Sequence, residues 1–304
     1  MSPSNSLSAL PPSTPSSRPS SVGICIVAIS FYPKPTGSEV NVCLHLEDTD
    51  NQTISFLLDL KVSWVRTDWT TPDESMRNYS RDLQDNNINL LAIIDHKTFG
   101  NQIPSMEEWN RTITELATSE DFRNTDAVEI WNEPNSASYV EPKVYYEMLK
   151  SAYTIIKNYT TIPVVFAGVS PNVSGWKTYL NTVFAYGDTQ NYFDYMGIHL
   201  YDDTTTNLEH LQFVKGLTPK PIWLTETGQP SETDGYTEAT QAEYLRSVYS
   251  TLEPHVDKIF IYELRDGRWA TLDKENYFGL LTLEKTKKEA YDTVWKISRN
   301  QEKK

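Results

Sequence analysis

Glu129-Ile130-Trp131-Asn132-Glu133-Pro134-Asn135 and Ile222-Trp223-Leu224-Thr225-Glu226-Thr227-Gly228 are the two runs on which the reading of this chain turns. Each begins as an apolar strand and stops on a glutamate followed by a residue suited to a turn. A carboxylate at the end of a parallel strand stands at the mouth of the sheet, where α/β folds place their chemistry.

Outward from these runs, β-branched and apolar stretches alternate with helical patterns from about residue 40 onward. Val40–Leu46 precedes a helical stretch through Leu60, Ser63–Trp69 precedes Glu74–Asp85, and Asn89–Asp95 precedes Met106–Thr118. Ala127–Glu133 leads into Glu141–Asn158, where Pro142 suits a first helical turn. Val164–Gly168 leads to Gly175–Tyr186, and Tyr195–Tyr201 to Leu208–Leu217. Ile222–Glu226 is followed by Glu238–Leu252, and Lys258–Leu264 by a terminal helix from about Lys285 to Arg299. Leu90–Ile94, Val164–Ala167 and Ile259–Ile261 are continuously apolar, as strands buried on both faces are. Eight strand–helix units in residues 39–304 predict an α/β fold of the (β/α)8 TIM barrel type. An open doubly wound sheet usually has fewer strands, and a Gly-rich nucleotide loop after the first strand is missing.

Residues 1–38 read as a Ser/Pro-rich extension. Within it, Val22–Tyr32 is apolar enough for an extra strand or a short signal-peptide core, without the cationic start and cleavage site of a signal. Asn51, Asn78, Asn110, Asn158 and Asn172 sit in N-x-Ser/Thr sequons, which favours a secreted or cell-surface protein. No stretch approaches the roughly 20 apolar residues of a spanning helix.

The 27 basic and 41 acidic residues leave a net charge of −14, which argues against a nucleic-acid partner. Cys25 and Cys43 allow at most one disulfide. The five histidines show no paired spacing, so no metal or other cofactor is expected. The 8 Trp and 18 Tyr suit packing and sugar stacking alike.

By strand count Glu133 ends the fourth strand and Glu226 the seventh, which face each other across the mouth of an eight-stranded barrel. Their carboxyls are expected about 5 Å apart, the spacing of a retaining glycosidase with a covalent intermediate. In that reading Glu133 is the acid/base, kept protonated by burial and by a negative neighbour, and Glu226 is the nucleophile.

The Trp-Asn-Glu-Pro and Thr-Glu-Thr-Gly runs resemble the large clan of retaining (β/α)8 glycoside hydrolases, with family 39 and its relatives nearest. Trp64-Val65-Arg66-Thr67-Asp68-Trp69 resembles the second strand of such enzymes, and Phe278-Gly279-Leu280-Leu281 their closing segment. The Glu-Thr-Gly-Gln-Pro-Ser run is also similar to β-1,3-glucanases of family 17. The resemblance implies a carbohydrate substrate. It implies that Asn132 bonds a sugar 2-hydroxyl, that Arg66 lowers the pKa of Glu226, and that Tyr201, beside His199 at the sixth strand's end, donates to the nucleophile. Trp69, Asp95, His96 and Trp223 become candidates to line the pocket.

The eighth strand departs from the pattern. Where many clan members place a tryptophan platform, this chain reads Tyr262-Glu263-Leu264-Arg265-Asp266, with Trp269 shortly after. Tyr262 or Trp269 is expected to supply the platform, and Glu263 to bind a hydroxyl or pair with Arg265. Arg66 has an alternative role as partner of Asp68 or Asp95. By alternation Trp131 and Trp223 point outward under the helices, and Glu129 shares the face of Trp131 and not that of Asn132, as a structural or ion-paired group. A transglycosidase using the same glutamates and a non-catalytic polysaccharide-binding barrel are the competing functions. A metal-dependent barrel hydrolase is disfavoured because no His-x-His ends a strand.

Overall fold

A computed structural model describes residues 38–45, 48, 50–70, 74–233, 235–268 and 273–299. Eight parallel strands close into a barrel in sequence order: β1 (Val40–Cys43), β2 (Val62–Asp68), β3 (Asn89–Ile94), β4 (Ala127–Asn132), β5 (Val164–Val169), β6 (Tyr195–His199), β7 (Ile222–Thr227) and β8 (Lys258–Ile261). Asn41 and Val42 pair with Phe260 and Ile261, so the first strand seals against the last. The helices are α1 (Asn51–Asp59), α2 (Glu74–Asp85), α3 (Met106–Thr118), α4 (Pro142–Tyr159), α5 (Trp176–Phe184), α6 (Thr204–Leu217), α7 (Glu238–Leu252) and α8 (Glu289–Ile297). The eight expected units are all present. The barrel lies within the unit Pro35–Lys304, and the candidate extra strand at Val22–Tyr32 lies outside the described residues.

Local chemistry explains the helix ends. Asp50, Ser105 and Asp203 accept hydrogen bonds from first-turn amides of α1, α3 and α6. Thr237 and Thr240 cap each other's backbone at the start of α7. α8 starts at Glu289 and not near Lys285, because Lys285 adopts a left-handed φ of 63° in a turn that a helix cannot continue.

Side chains of the strands supply two cores. Val128, Ile130, Phe166, Ile198 and Leu224 face outward and pack beneath the helices with Trp109, Tyr145 and Leu149. Cys43, Leu91, Ala127, Val165, Trp223 and Phe260 fill the barrel interior, with Cys43 at its upper end against the cleft. Trp223 is therefore inside the barrel, a correction to strict alternation. Between Leu224 and Thr227, β7 carries one residue more than each neighbouring strand opposes. This bulge resets the phase, so Trp223 at the floor and Glu226 at the mouth both face inward.

Candidate active site

Arg66 is the hub of the barrel mouth. Almost wholly buried near the end of β2, it donates through Nε to Glu129 Oε2 at 2.6 Å, through Nη1 to Glu226 Oε1 at 2.6 Å and through Nη2 to Asn132 Oδ1 at 2.8 Å. Burial opposes its charge, but Glu129 and Glu226 outweigh that and hold the guanidinium firmly ionised. Its expected contact with Glu226 is present. Its alternative partner Asp68 instead binds Lys97 Nζ at 2.6 Å.

Glu226 Oε2 accepts a hydrogen bond from Tyr201 Oη at 2.7 Å and lies 3.3 Å from His199 Nδ1. Burial alone raises a carboxyl's pKa. Here His199, Arg66 and the Tyr201 hydroxyl more than reverse it and lower Glu226 to about 2. His199 Nδ1 is also 3.0 Å from Glu133 Oε1, and its Nε2 faces Arg66 Nη2 at 3.5 Å. That setting suits the Nδ1–H tautomer, donating to the two carboxylates and accepting from the arginine. Burial disfavours the imidazolium, yet Glu226 and Glu133 prevail and raise the pKa of His199.

Glu133 follows β4 at a left-handed φ of 43°, its amide bonded to Gly168 O at 3.1 Å. One donor atom each of Glu133, His199 and Glu226 lies within 4.8 Å of the others. A cation would fit that spacing, but Arg66 already places a positive charge 2.6 Å from Glu226.

Glu129 requires a correction. It is ion-paired, as one reading of it anticipated, but it faces inward together with Asn132. Trp131 lies between them at a left-handed φ of 76°, and its ring leaves the barrel to pack on Trp109 and His96. One residue with inverted backbone thus breaks the alternation: Ile130 and Trp131 both take outward positions, while Glu129 and Asn132 both face inward.

The cleft above these groups measures about 790 Å³, and Asn132, Glu133, Tyr201, Glu226 and Tyr262 line it. Tyr262 packs edge-on against Tyr201 and Phe278. Glu263 is buried and pairs with His45 Nε2 at 2.5 Å, while Arg265 pairs with Asp48, so the expected Glu263–Arg265 pair does not form. Burial raises Glu263 to about 6.

Four expected pocket residues are elsewhere, one of them Trp223, which is buried inside the barrel and does not line the cleft. Trp69 is fully buried in the outer core against Phe122. Asp95 is buried as the cap of the His96–Phe99 turn, accepting from Lys97 N, and His96 rests on Asp95 and the Trp131 ring. β3 ends at Ile94, so the chain has already turned by Asp95, and it is Lys97 that reaches the cleft. Trp269 lies outside the described residues. His45, Asp68, Lys97, Tyr236 and Glu275 also line the cleft and were not anticipated. His45, Lys97, Tyr236 and Glu275 sit on turns and loops without strand periodicity, whereas Asp68 is the last residue of β2 and, inside the quoted second-strand motif, alone carried a signal.

The family model described as glycosyl hydrolase catalytic core matches residues 45–274. No curated protein matches significantly. Among solved structures, the chain is similar to a family 39 glycoside hydrolase from the gut symbiont Bacteroides cellulosilyticus WH2, at TM-score 0.69 and 19% identity, covering 86% of this chain and 63% of that one. It is similar to a glucosidase from Croceicoccus marinus at TM-score 0.66 and 12% identity, covering 87% and 71%. An endo-β-1,4-mannanase from Thermotoga petrophila follows at TM-score 0.60 and 12% identity, covering 88% and 77%. The chain thus spans less than two thirds of the family 39 enzyme, and at these identities the likeness shows a shared fold. Since the family model covers most of the barrel, the chain belongs to the glycosyl hydrolase catalytic core family.

Proposed function

We propose that the protein cleaves β-glycosidic bonds of oligo- or polysaccharides with retention of configuration, through a covalent glycosyl-enzyme. Glu133 donates a proton to the leaving oxygen while a Glu226 oxygen attacks the anomeric carbon. Glu133 then takes a proton from water as that water releases the sugar. The observation that carries this reading is the approach of carboxylate oxygens of Glu133 and Glu226 to within 4.8 Å. Retaining enzymes hold their carboxyls about 5–5.5 Å apart, whereas inverting enzymes leave roughly 6.5–9.5 Å for a water.

The electrostatics supports the same division of labour. Glu226, held at about 2, is ionised at any working pH, and Glu133 is the more exposed of the two. With Asn132 Oδ1 committed to Arg66, the amide donor is left for a sugar hydroxyl. The β anomer is the linkage named for the mannanase that shares the fold. Secretion or surface display is part of the proposal, and the exposure of all five sequon asparagines supports it.

The test is chemical rescue. Glu226→Ala should lose turnover of aryl glycosides, and azide should yield a glycosyl azide of inverted configuration. Glu133→Ala should fail most on poor leaving groups, and azide should yield the retained product. Wild-type activity in either variant ends the assignment. Products formed with an acceptor sugar separate hydrolysis from transglycosylation. Carbohydrate binding with no turnover would indicate a purely binding barrel.

A further inference from the structure

Glu129 is wholly buried, does not line the cleft, and carries a charge to which the mechanism above gives no part. Both its oxygens are committed. Oε2 accepts from Arg66 Nε at 2.6 Å, and Oε1 accepts from the backbone amide of Gly168 at 2.8 Å. Each donor is joined to the reacting groups. Arg66 reaches Glu226 and Asn132 with its other nitrogens. Gly168 accepts the amide of Glu133 through its carbonyl, and its missing side chain leaves the space that His199 occupies, since a β carbon there would lie 2.0 Å from His199 Nε2.

We infer that Glu129 is a positioning residue of the catalytic centre: one carboxylate, two oxygens, fixing Arg66 on one side and Gly168 on the other, and through them both glutamates. The two donors come from different strands, β2 and β5, on either side of β4. A carboxylate accepts from both. A glutamine offers one oxygen and must turn its NH₂ toward the other donor. The kinetic part of this inference rests on the catalytic reading above.

The experiment compares wild type, Glu129→Gln, Glu129→Asp, Arg66→Lys and the Glu129→Gln/Arg66→Lys double variant. Displacement of the nucleophile by a fraction of an ångström to an ångström predicts a loss of kcat approaching about 100-fold in Glu129→Gln, with KM little changed. Arg66→Lys removes the Nε partner, so the double variant should lose far less than the product of the single losses. In parallel, ¹³C-carboxyl NMR follows Glu226, its resonance identified by its absence in Glu226→Gln. The carboxyl should stay ionised across the mildly acidic range in wild type and begin to protonate there in Glu129→Gln. Glu129→Asp, which keeps both oxygens but retracts them, should shift less, and it serves if the glutamine variant does not fold. A purely structural Glu129 would lower thermal stability, leave the Glu226 titration in place and give multiplicative losses with Arg66→Lys; that result overturns the inference. The titration needs no turnover, so a wild type that hydrolyses nothing would refute the proposed function while the role of Glu129 is still decided.

Discussion

Tyr201→Phe isolates one hydrogen bond at Glu226, the proposed nucleophile. The hydroxyl donates to Glu226 Oε2 at 2.7 Å, while the ring is held by edge-on packing against Tyr262 and Phe278 that a phenylalanine reproduces. A hydrogen bond to an ionised group contributes about 1.5–3 kcal/mol. One pKa unit corresponds to about 1.4 kcal/mol, so the bond accounts for roughly one to two units of the depression of Glu226. His199 Nδ1, 3.3 Å from the same oxygen, takes up part of the loss and favours the lower figure. Glu226 should therefore ionise about one unit above its wild-type value of about 2 in the variant. The assay is kcat/KM against pH for whichever aryl glycoside the wild type turns over. The acid limb, which reports the free enzyme's base, should move to higher pH by about one unit. Stability follows with the sign of a depressed carboxyl. The ionised form contributes above the unfolded value of 4.5 and loses its contribution as pH falls toward 2. The variant should thus be less stable than wild type at neutral pH, and the gap should close in acid. A lower kcat/KM with an unmoved acid limb would refute the assignment of Glu226 as the titrating nucleophile held by Tyr201.

Gly168→Ala should push a β carbon to 2.0 Å from His199 Nε2 and 2.7 Å from Thr225 Oγ1. Overpacking of that kind costs about 1–3 kcal/mol; a lower melting temperature with a loss of kcat is expected, and unchanged values of both would contradict the packing. Lys288→Met strands Asp266, whose Oδ1 lies 2.6 Å from Lys288 Nζ in a buried pair, at a cost of about 3–5 kcal/mol. Burial already raises Asp266 to about 6 despite that lysine. A raised carboxyl contributes stability below its unfolded value of 3.8 and loses it as pH rises through the folded value, so the Lys288→Met deficit should be larger in mild alkali than in mild acid. Melts at the two pH values check this, and a pH-independent deficit would refute it.

The barrel was legible because its signal is repeated eight times and depends on burial. Runs such as Leu90–Ile94 and Val164–Ala167 are apolar throughout, and α3 and α7 begin and end where their periodicity does. Residues just past the strands were harder to place. Glu133, Tyr201 and Leu264 read as strand continuations, yet the chain has left the ladder by each. An inward-pointing side chain and an apolar neighbour look alike in sequence whether or not the backbone is still paired. That ambiguity put Trp69, Asp95 and His96 in the pocket and hid Lys97 from it.

The placement of the charged groups exposes a deeper limit of alternation. Period-two reasoning assigns a face to every strand residue, and it failed at Glu129 and Trp223, each within a few residues of a candidate catalytic glutamate. Both failures have a local backbone cause: a left-handed Trp131 in β4 and an extra residue between Leu224 and Thr227 in β7. A regular strand cannot turn both Glu129 and Asn132 toward one guanidinium, nor both Trp223 and Glu226 inward, because residues three apart point to opposite faces. An irregularity in each strand is therefore what lets a single arginine on β2 hold Glu129, Asn132 and Glu226 together. Left-handed backbone at a bulky residue is costly, about 1–3 kcal/mol, and it is retained here where it brings a charge into register. Restoring right-handed geometry at Trp131 would be expected to turn Asn132 away from Arg66, so the strain and the site are one feature of β4.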